Sequence, residues 1–478
     1  MIISDILNKS DIISGREFSS LSFSAPRDDS RFVQKNDAFF ATQSGAPYMH
    51  SAYLNGAACI ICEKLPSDSG RFQIPIIQVR NVRLAFAVAC QMHNGSPAER
   101  LKIIAVTGTN GKTSTSMILR HILEHAGHKT SVIGTIGNFI GGVRYDTDYT
   151  TPPPQILSEL LRLSSDDNVK YVIMEASSHA LDQYRLGGIS PDIAIFTNLS
   201  RDHLDYHGSI DECAAAKARL FEISKNAVIN LDDSYAKFMA WHSSDVMYCS
   251  TKSKAAEFFA SDISCKMSSI RYKLSCFDKK IDIFSPLTGE FYVYNTMLAF
   301  AAANLCGIDD DKISSALASF ATVDGRMETI IFDNKTIVID YAHTPDALRV
   351  ALSSLRPICK GKLTVVFGCG GSRDIGKRPI MGKIASEIAD NVILTSDNPR
   401  CEDKMMIIND IMSGISDRSK TKIIIDRAEA IQYAVESAAD NDIVLIAGKG
   451  HERYIEDALG KHYFSDKEKV KEIIDKGR

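Results

Sequence analysis

No stretch of this 478-residue chain approaches the ~20 consecutive apolar residues of a membrane-spanning helix, so membrane insertion is not expected. The start, Met1-Ile2-Ile3-Ser4-Asp5, lacks the basic-then-apolar pattern of a secretory leader, which points to the cytoplasm. An excess of one charge is also missing. With 55 Lys and Arg against 59 Asp and Glu, the net charge is -4 and the signs are interspersed, which gives no electrostatic reason to expect nucleic acid or an anionic membrane as partner. The 11 cysteines are odd in number and scattered, so neither a disulfide framework nor a structural zinc site is expected, and most should be buried thiols. Internal repeats and low-complexity tracts are absent. What remains is the composition of an ordinary globular protein, 45% hydrophobic and 24% charged. Its length suits roughly two to four domains of about 100 to 200 residues each.

The most informative segment starts at Ile103-Ile104-Ala105-Val106, which reads as a buried strand. It continues through Thr107-Gly108-Thr109-Asn110-Gly111-Lys112-Thr113-Ser114 into a helical pattern that runs to Ala126. Strand, glycine turn and helix in that order predict a phosphate-binding loop. Gly108 and Gly111 let the backbone close on an anion, Lys112 brings a cation to the terminal phosphates, and the Thr113 hydroxyl suits the magnesium that travels with them. Val106 stands where the commoner loop has its first glycine, leaving the shorter Gly-x-x-Gly-Lys-Thr. The expected ligand is a nucleoside triphosphate; a helix-capping turn is the plainer alternative.

Three stretches read differently. Residues 1–98 mix short strands and turns and end at the break Asn94-Gly95-Ser96-Pro97. Residues 99–325 repeat strand-helix units after the loop, with buried strands at 171–174 and 193–197 and a helix at 210–222. Residues 326–478 alternate more regularly, with strands near 337–340, 363–367, 391–395, 422–425 and 443–446. The predicted fold class is α/β in three domains: a small N-terminal α/β domain, a central phosphate-loop sheet, and a C-terminal Rossmann-like, doubly wound parallel sheet.

In open α/β sheets the chemistry sits at the carboxyl ends of strands. Glu175, in Glu175-Ala176-Ser177-Ser178-His179, follows one strand and could ligate magnesium, unless it merely caps the next helix. After the next strand comes Asn198-Leu199-Ser200-Arg201-Asp202-His203-Leu204-Asp205-Tyr206-His207-Gly208. So many charged and imidazole groups are costly to order without a ligand, and Asp202 or His203 could reach the same metal; a solvated loop is the alternative.

Taken in order, these three motifs and Gly325-Arg326-Met327-Glu328 resemble the Mur ligases, the ATP-dependent amide-bond ligases of peptidoglycan synthesis. Four later motifs complete the likeness: Asp340-Tyr341-Ala342-His343-Thr344-Pro345-Asp346, Gly368-Cys369-Gly370-Gly371-Ser372-Arg373-Asp374, Asp397-Asn398-Pro399-Arg400 and Gly448-Lys449-Gly450-His451-Glu452. They resemble the members that add meso-diaminopimelate to UDP-N-acetylmuramoyl-L-alanyl-D-glutamate. The likeness covers nearly the whole chain and rests on the ordered set, since each short motif alone is common.

The resemblance implies transfer of the ATP γ-phosphoryl group to a substrate carboxylate, attack of an amine on the acyl phosphate, and loss of phosphate. Positioning and charge neutralisation serve such a reaction, and no nucleophilic triad is needed. By resemblance, Lys112, Lys217, His203 and His343 are catalytic, and Thr113, Glu175 and His203 attend magnesium. Lys217 matches the lysine that the family carries as a carbamate formed with carbon dioxide; by itself the sequence reads it as a solvated helix lysine. Residues 108–114 with Asn295, Arg326 and Asp340 are implied to hold ATP. Ser30, Arg31, Thr150, Thr151, Ser177, Gln183 and Arg185 are implied for the nucleotide-sugar dipeptide. Arg373, Asp397, Asn398, Arg400, Gly448 and Glu452 are implied for diaminopimelate, whose distal carboxylate suits an arginine fork as the ammonium of lysine does not. A plain turn is the alternative for 397–400. A monomer is expected.

Three departures from the family pattern stand out. Tyr292 replaces an Asn, Asp324 replaces a Pro, and Gly45-Ala46-Pro47-Tyr48-Met49-His50 lacks an Asp-Gly-His or Asp-Gly-Arg run. Two other readings compete. A folylpolyglutamate synthetase or another Mur ligase shares the loop but not the Asp-Asn-Pro-Arg and Gly-Lys-Gly-His-Glu pair. A nucleotide-dependent switch would bind nucleotide without releasing phosphate in response to an amino acid.

Overall fold

The computed structural model describes residues 1–7, 11–42, 45–147 and 149–476, arranged around three main sheets and a two-stranded hairpin. The first sheet runs Ile12–Ser14, Ile76–Val79, Cys59–Cys62, Ala38–Ala41, Pro26–Arg27 in spatial order, parallel except at the Ile12–Ser14 edge. Strand alternation feeds two cores, Ala38 and Phe40 on one face, Phe39 and Ala41 on the other. Cys59 and Cys62 do have Cys-x-x-Cys spacing, which the scattered-cysteine argument passes over. Three residues apart on a strand, they point into opposite cores, and burial pushes their thiols up to about 12 and about 11, so no metal or redox pair forms.

The central sheet has eleven strands. Its parallel part runs Phe258–Lys266, Val246–Ser250, Asn226–Asn230, Ile193–Phe196, Lys102–Thr107, Tyr171–Glu175, Thr130–Gly134. Helices Lys112–His125 and Phe291–Leu305 bury their apolar stripes on one face, Pro154–Asp166 and Ile210–Glu222 on the other. In-register pairing sets Glu175 beside Val106 and Phe196 beside Thr107, so three strand ends converge on the phosphate loop. The expectation of uniform α/β periodicity is corrected at both edges. Gly137–Ile140 and Val143–Tyr145 extend one edge antiparallel, and the meander Phe258–Lys266, Ser269–Cys276, Lys279–Ser285 extends the other.

The third sheet has six strands, Glu328–Phe332, Lys335–Asp340, Ile443–Ala447, Leu363–Phe367, Asn391–Leu394, Thr421–Ile423, all parallel except the first. The antiparallel edge departs from the all-parallel expectation. The strand expected at 422–425 spans only Thr421–Ile423. Among the described residues no helix is long and apolar enough to cross a membrane.

Candidate active site

The phosphate loop is shaped by its two glycines. Gly108 (φ 146) lies so close to Thr197 that a Cβ would collide with its hydroxyl, and a Cβ on Gly111 (φ 84) would come within 2.7 Å of Asn295 Oδ1. The following motif buttresses the loop. Thr109 N–H donates to the Asn198 carbonyl at 2.8 Å, Asn110 N–H to Asn198 Oδ1 at 3.0 Å, and the Thr197 hydroxyl to the Asn110 carbonyl at 2.6 Å. Lys112 is half-buried, its Nζ resting 2.9 Å from both the Gly108 and Thr109 carbonyls, and burial lowers its pKa.

Thr113 Oγ1 donates to Glu175 Oε2 at 3.1 Å. Glu175, 1% exposed, also accepts from the Thr135 amide and hydroxyl at 3.0 and 2.9 Å. It does not cap the next helix; Ser177 does, accepting from Ala180 N–H at 3.2 Å. Among the described residues no group of three or more His, Cys, Asp or Glu is placed to hold a metal. A hydroxyl beside one carboxylate is nonetheless the sparse, hard-oxygen donor set with which magnesium is held when phosphates complete its shell. His203 (φ 56) has Nε2 3.3 Å from Asp202 Oδ2 and its ring 4.6 Å from that of His179. Desolvation holds His203 down to about 4, so its imidazole is neutral at pH 7.

Lys217 is 3% exposed and donates to the Gly108 carbonyl at 3.1 Å, which excludes the solvated-lysine reading. Burial pushes its pKa down to about 8.

The third sheet closes the site. Arg326 Nη2 reaches Thr113 Oγ1 at 3.3 Å while its guanidinium lies 4.4 Å over the Tyr341 ring. Asp340 accepts from the amides of Met327 and Ala342, both at 2.8 Å, and burial raises its pKa. Its contact is with the turn that presents Arg326. His343 Nδ1 is 2.9 Å from the Tyr341 carbonyl, and burial lowers its pKa. Asn110 Nδ2 donates across the gap to Asp346 Oδ2 at 3.0 Å. Two departures from the family pattern acquire reasons here. Tyr292 donates to the Arg326 carbonyl at 3.0 Å, and Asp324 pairs with Lys467 at 2.5 Å, so both fix the same turn.

These groups line a cavity of about 610 Å³ that takes in residues 109–114, Thr150, Glu175, Asp202, His203, Asn295, Arg326, Asp340 and His343. Its size fits a nucleotide. Sequence reasoning missed the wall formed by Phe291, Tyr294 and Asp232, where Tyr294 donates to Asp232 Oδ2 at 3.0 Å. The signal available was the spacing of Phe291, Tyr294 and Asn295 at i, i+3 and i+4 on one helix face.

A chain of hydrogen bonds leads away from Glu175. Thr150 Oγ1 lies 3.1 Å from Thr135 Oγ1 and donates to it, since the one Thr135 hydroxyl proton goes to Glu175; Thr151 Oγ1 donates to the Glu175 carbonyl at 2.7 Å and accepts from Ser177 N–H at 3.0 Å. Arg185 donates to the Thr151 carbonyl at 2.5 Å and to Gln183 Oε1 at 2.9 Å. Ser30 and Arg31 stand apart from this chain. Ser30 is buried, and Arg31 forks Asp29 at 2.6 Å, with no hydrogen bond to that chain among the described residues.

The six residues implied for diaminopimelate gather outside the cavity lining. Asn398 Nδ2 donates to Glu452 Oε2 at 3.0 Å, and the wholly buried Lys449 donates to Asn398 Oδ1 at 2.8 Å and lies 4.0 Å from Asp397. Gly448 (φ 115) leaves no space for a Cβ beside Asp397. Arg400 donates to the Gly371 carbonyl at 2.8 Å, and Arg373 is exposed next to it across Gly370.

Comparison with known proteins matches two family models, the Mur ligase middle domain over residues 106–303 and the Mur ligase, glutamate ligase domain over residues 325–450. The chain is 37% identical over 454 residues to the UDP-N-acetylmuramoyl-L-alanyl-D-glutamate--2,6-diaminopimelate ligase of Clostridium botulinum, covering 93% of this chain and 94% of that protein. It is 40% identical over 454 residues to the Aquifex aeolicus ligase of the same name, covering 93% and 92%. A solved structure of a ligase of that name shares 34% identity at a TM-score of 0.71, covering 100% of this chain and 99% of that one. The MurF ligase from Thermotoga maritima in complex with ADP, at 18% identity and a TM-score of 0.61, shares the fold over 95% of this chain and 97% of that one. The chain belongs to the Mur ligase family.

Proposed function

We propose that the chain is an ATP-dependent ligase that joins meso-diaminopimelate to UDP-N-acetylmuramoyl-L-alanyl-D-glutamate in peptidoglycan precursor synthesis. The observation that carries this reading is the convergence on one cavity of Lys112, Thr113 and Glu175 from the central sheet with Arg326, Asp340 and His343 from the third. The substrate names come from the relatives, which are ligases of that description at 37% and 40% identity.

In this reading the loop amides of 108–114 and Lys112 bind the phosphates, and Arg326 meets the developing charge from the opposite wall. Thr113, Glu175 and His203 are the candidate magnesium holders, and the ion would supply charge neutralisation on the transferred phosphoryl group. The acyl carboxylate takes that group, ADP departs, the amine attacks the carbonyl, and phosphate leaves with formation of the amide. Neutral His203 and His343 offer lone pairs near the reacting groups. Lys217 acts as its carbamate: a buried amine with pKa about 8 is neutral often enough to take up carbon dioxide, and the product is an anion beside the loop. Asp340 supports the Arg326 turn and borders ATP. The dipeptide nucleotide lies along Thr150, Thr151, Ser177, Gln183 and Arg185, with Ser30 and Arg31 at its uridine end, and Arg373, Asp397, Asn398, Arg400, Gly448 and Glu452 receive the amino acid. Residues 1–98, 99–325 and 326–478 are the three working domains of a cytoplasmic monomer.

The test is incubation with ATP, magnesium, the dipeptide nucleotide and single amino acids, with phosphate release followed and the product weighed by mass spectrometry. Phosphate release that depends on meso-diaminopimelate, with one tripeptide nucleotide formed, is the expected result. Nucleotide binding without amino-acid-dependent release would overturn it in favour of a switch.

A further inference from the structure

We propose that Glu456 is a specificity-determining positioning residue: by holding the Nε edge of Arg400, it leaves the guanidinium to meet a ligand carboxylate end-on. The proposal rests on the substrate reading above. Glu456 lies on the hairpin formed by Tyr454–Asp457 and Gly460–Tyr463, which packs its inner strand against the Arg400 loop. Three contacts tie the two together. Arg400 N–H donates to the Glu456 carbonyl at 3.0 Å, Glu456 N–H donates to Asn398 Oδ1 at 3.0 Å, and Arg400 Nε pairs with Glu456 Oε2 at 3.1 Å.

A guanidinium offers two edges to a carboxylate, the Nε/Nη2 side and the Nη1/Nη2 end. Glu456 lies beside the first, its Oε2 forming an ion pair 3.1 Å from Nε with no aligned hydrogen bond. On the second, Nη1 gives one hydrogen to the Gly371 carbonyl at 2.8 Å, and Nη2 has no protein partner among the described residues. Gly370 shapes that end, since a Cβ there would sit 3.1 Å from Nη1. Arg400 itself has φ 52, a conformation that a non-glycine residue keeps only where its surroundings impose it. The hairpin supplies that constraint. An amino acid with a distal carboxylate therefore finds a cation aimed in one direction, and one with a distal ammonium finds repulsion there.

The experiment is calorimetric binding of meso-diaminopimelate and of L-lysine to the full chain with ADP and magnesium present. It compares wild type, Glu456→Gln, Glu456→Ala, Arg400→Ala and the Glu456→Ala/Arg400→Ala double variant. Glu456→Ala is expected to weaken meso-diaminopimelate by about tenfold and leave L-lysine unchanged, with Glu456→Gln recovering most of the loss as a neutral acceptor. In the Arg400→Ala background Glu456→Ala should do nothing more, because it acts through that side chain. Unchanged meso-diaminopimelate binding in Glu456→Ala, or a loss that adds fully to that of Arg400→Ala, would overturn the proposal alone. Wild-type protein that binds L-lysine as tightly as meso-diaminopimelate would overturn the substrate reading and this proposal together.

Discussion

The nucleotide cavity and the cluster around Asn398, which lies outside the cavity lining, use their polar groups differently. In the cavity, donors are left waiting: Asn295 Nδ2 and Arg326 Nε are buried without a partner, and Lys112 rests on carbonyls of its own loop. In the cluster most charges answer one another, although Arg427 Nη1 is also buried without a hydrogen-bond partner. Lys449 holds Asn398 and Glu452, Asp397 lies between Lys449 and Arg427, and Arg427 makes a fully buried pair with Asp466 at 2.7 Å. A site for a multiply charged anion keeps unpaired donors, which gain most when the ligand arrives. On the proposed reading, a site for a zwitterion is internally neutralised and would select through Arg373 and the free end of Arg400.

That contrast can be broken by substitution. The largest effect is expected for Lys112→Ala, a loss of roughly two to three orders of magnitude in ligation rate with an unchanged thermal midpoint, since one preorganised donor is worth that much to a developing charge. Near-normal turnover would remove the nucleotide site from the account. Lys217→Ala should cost about a hundredfold by the same argument, and formate or acetate should restore part of it. Carbamate formation needs the neutral amine, so wild-type dependence on added bicarbonate should ease as pH rises through about 8. Full activity of the alanine variant at every pH would contradict the carbamate.

Arg400→Ala should lower kcat/KM for meso-diaminopimelate by roughly ten- to a hundredfold, the equivalent of about 1.5 to 3 kcal/mol, and leave the KM for ATP alone. Tyr292→Phe is the smallest and most local case. Removing one buried hydroxyl bond to the Arg326 carbonyl should cost about 1 kcal/mol, read as a roughly fivefold rise in KM for ATP with the KM for diaminopimelate unchanged. A rise confined to diaminopimelate would show that the Arg326 turn belongs to the other region.

Local signals made the phosphate loop legible, while the cavity wall of Asn295, Arg326, Asp340 and His343 was reached only through the family resemblance. A strand, two glycines and a helix are consecutive in the chain, and the helix at 210–222 and the strand at 363–367 fold with the bounds that periodicity gives them. The meander at 258–285 escaped although its strands of 9, 8 and 7 residues alternate, because it lies within a run of strand-helix units. Lys217 shows the limit more sharply: an Ala-rich helix with one lysine looks solvated, and only the close approach of the Gly108 carbonyl, 109 residues away in sequence, reveals its burial. The pairing of Arg400 with Glu456 was invisible for the same reason, since nothing in 397–400 announces a hairpin 56 residues later. Asp324 and Tyr292 read as departures and became intelligible once Lys467 and Arg326 were seen beside them.

The separation of the two regions is tested most directly by calorimetry of a non-hydrolysable ATP analogue with magnesium against wild type, Lys112→Ala and Arg400→Ala. Lys112→Ala should lose at least about tenfold in affinity, as expected for removing a charge-assisted contact, while Arg400→Ala binds as wild type does. Equal losses in both variants would contradict the account, because the amino-acid cluster would then be part of the nucleotide site.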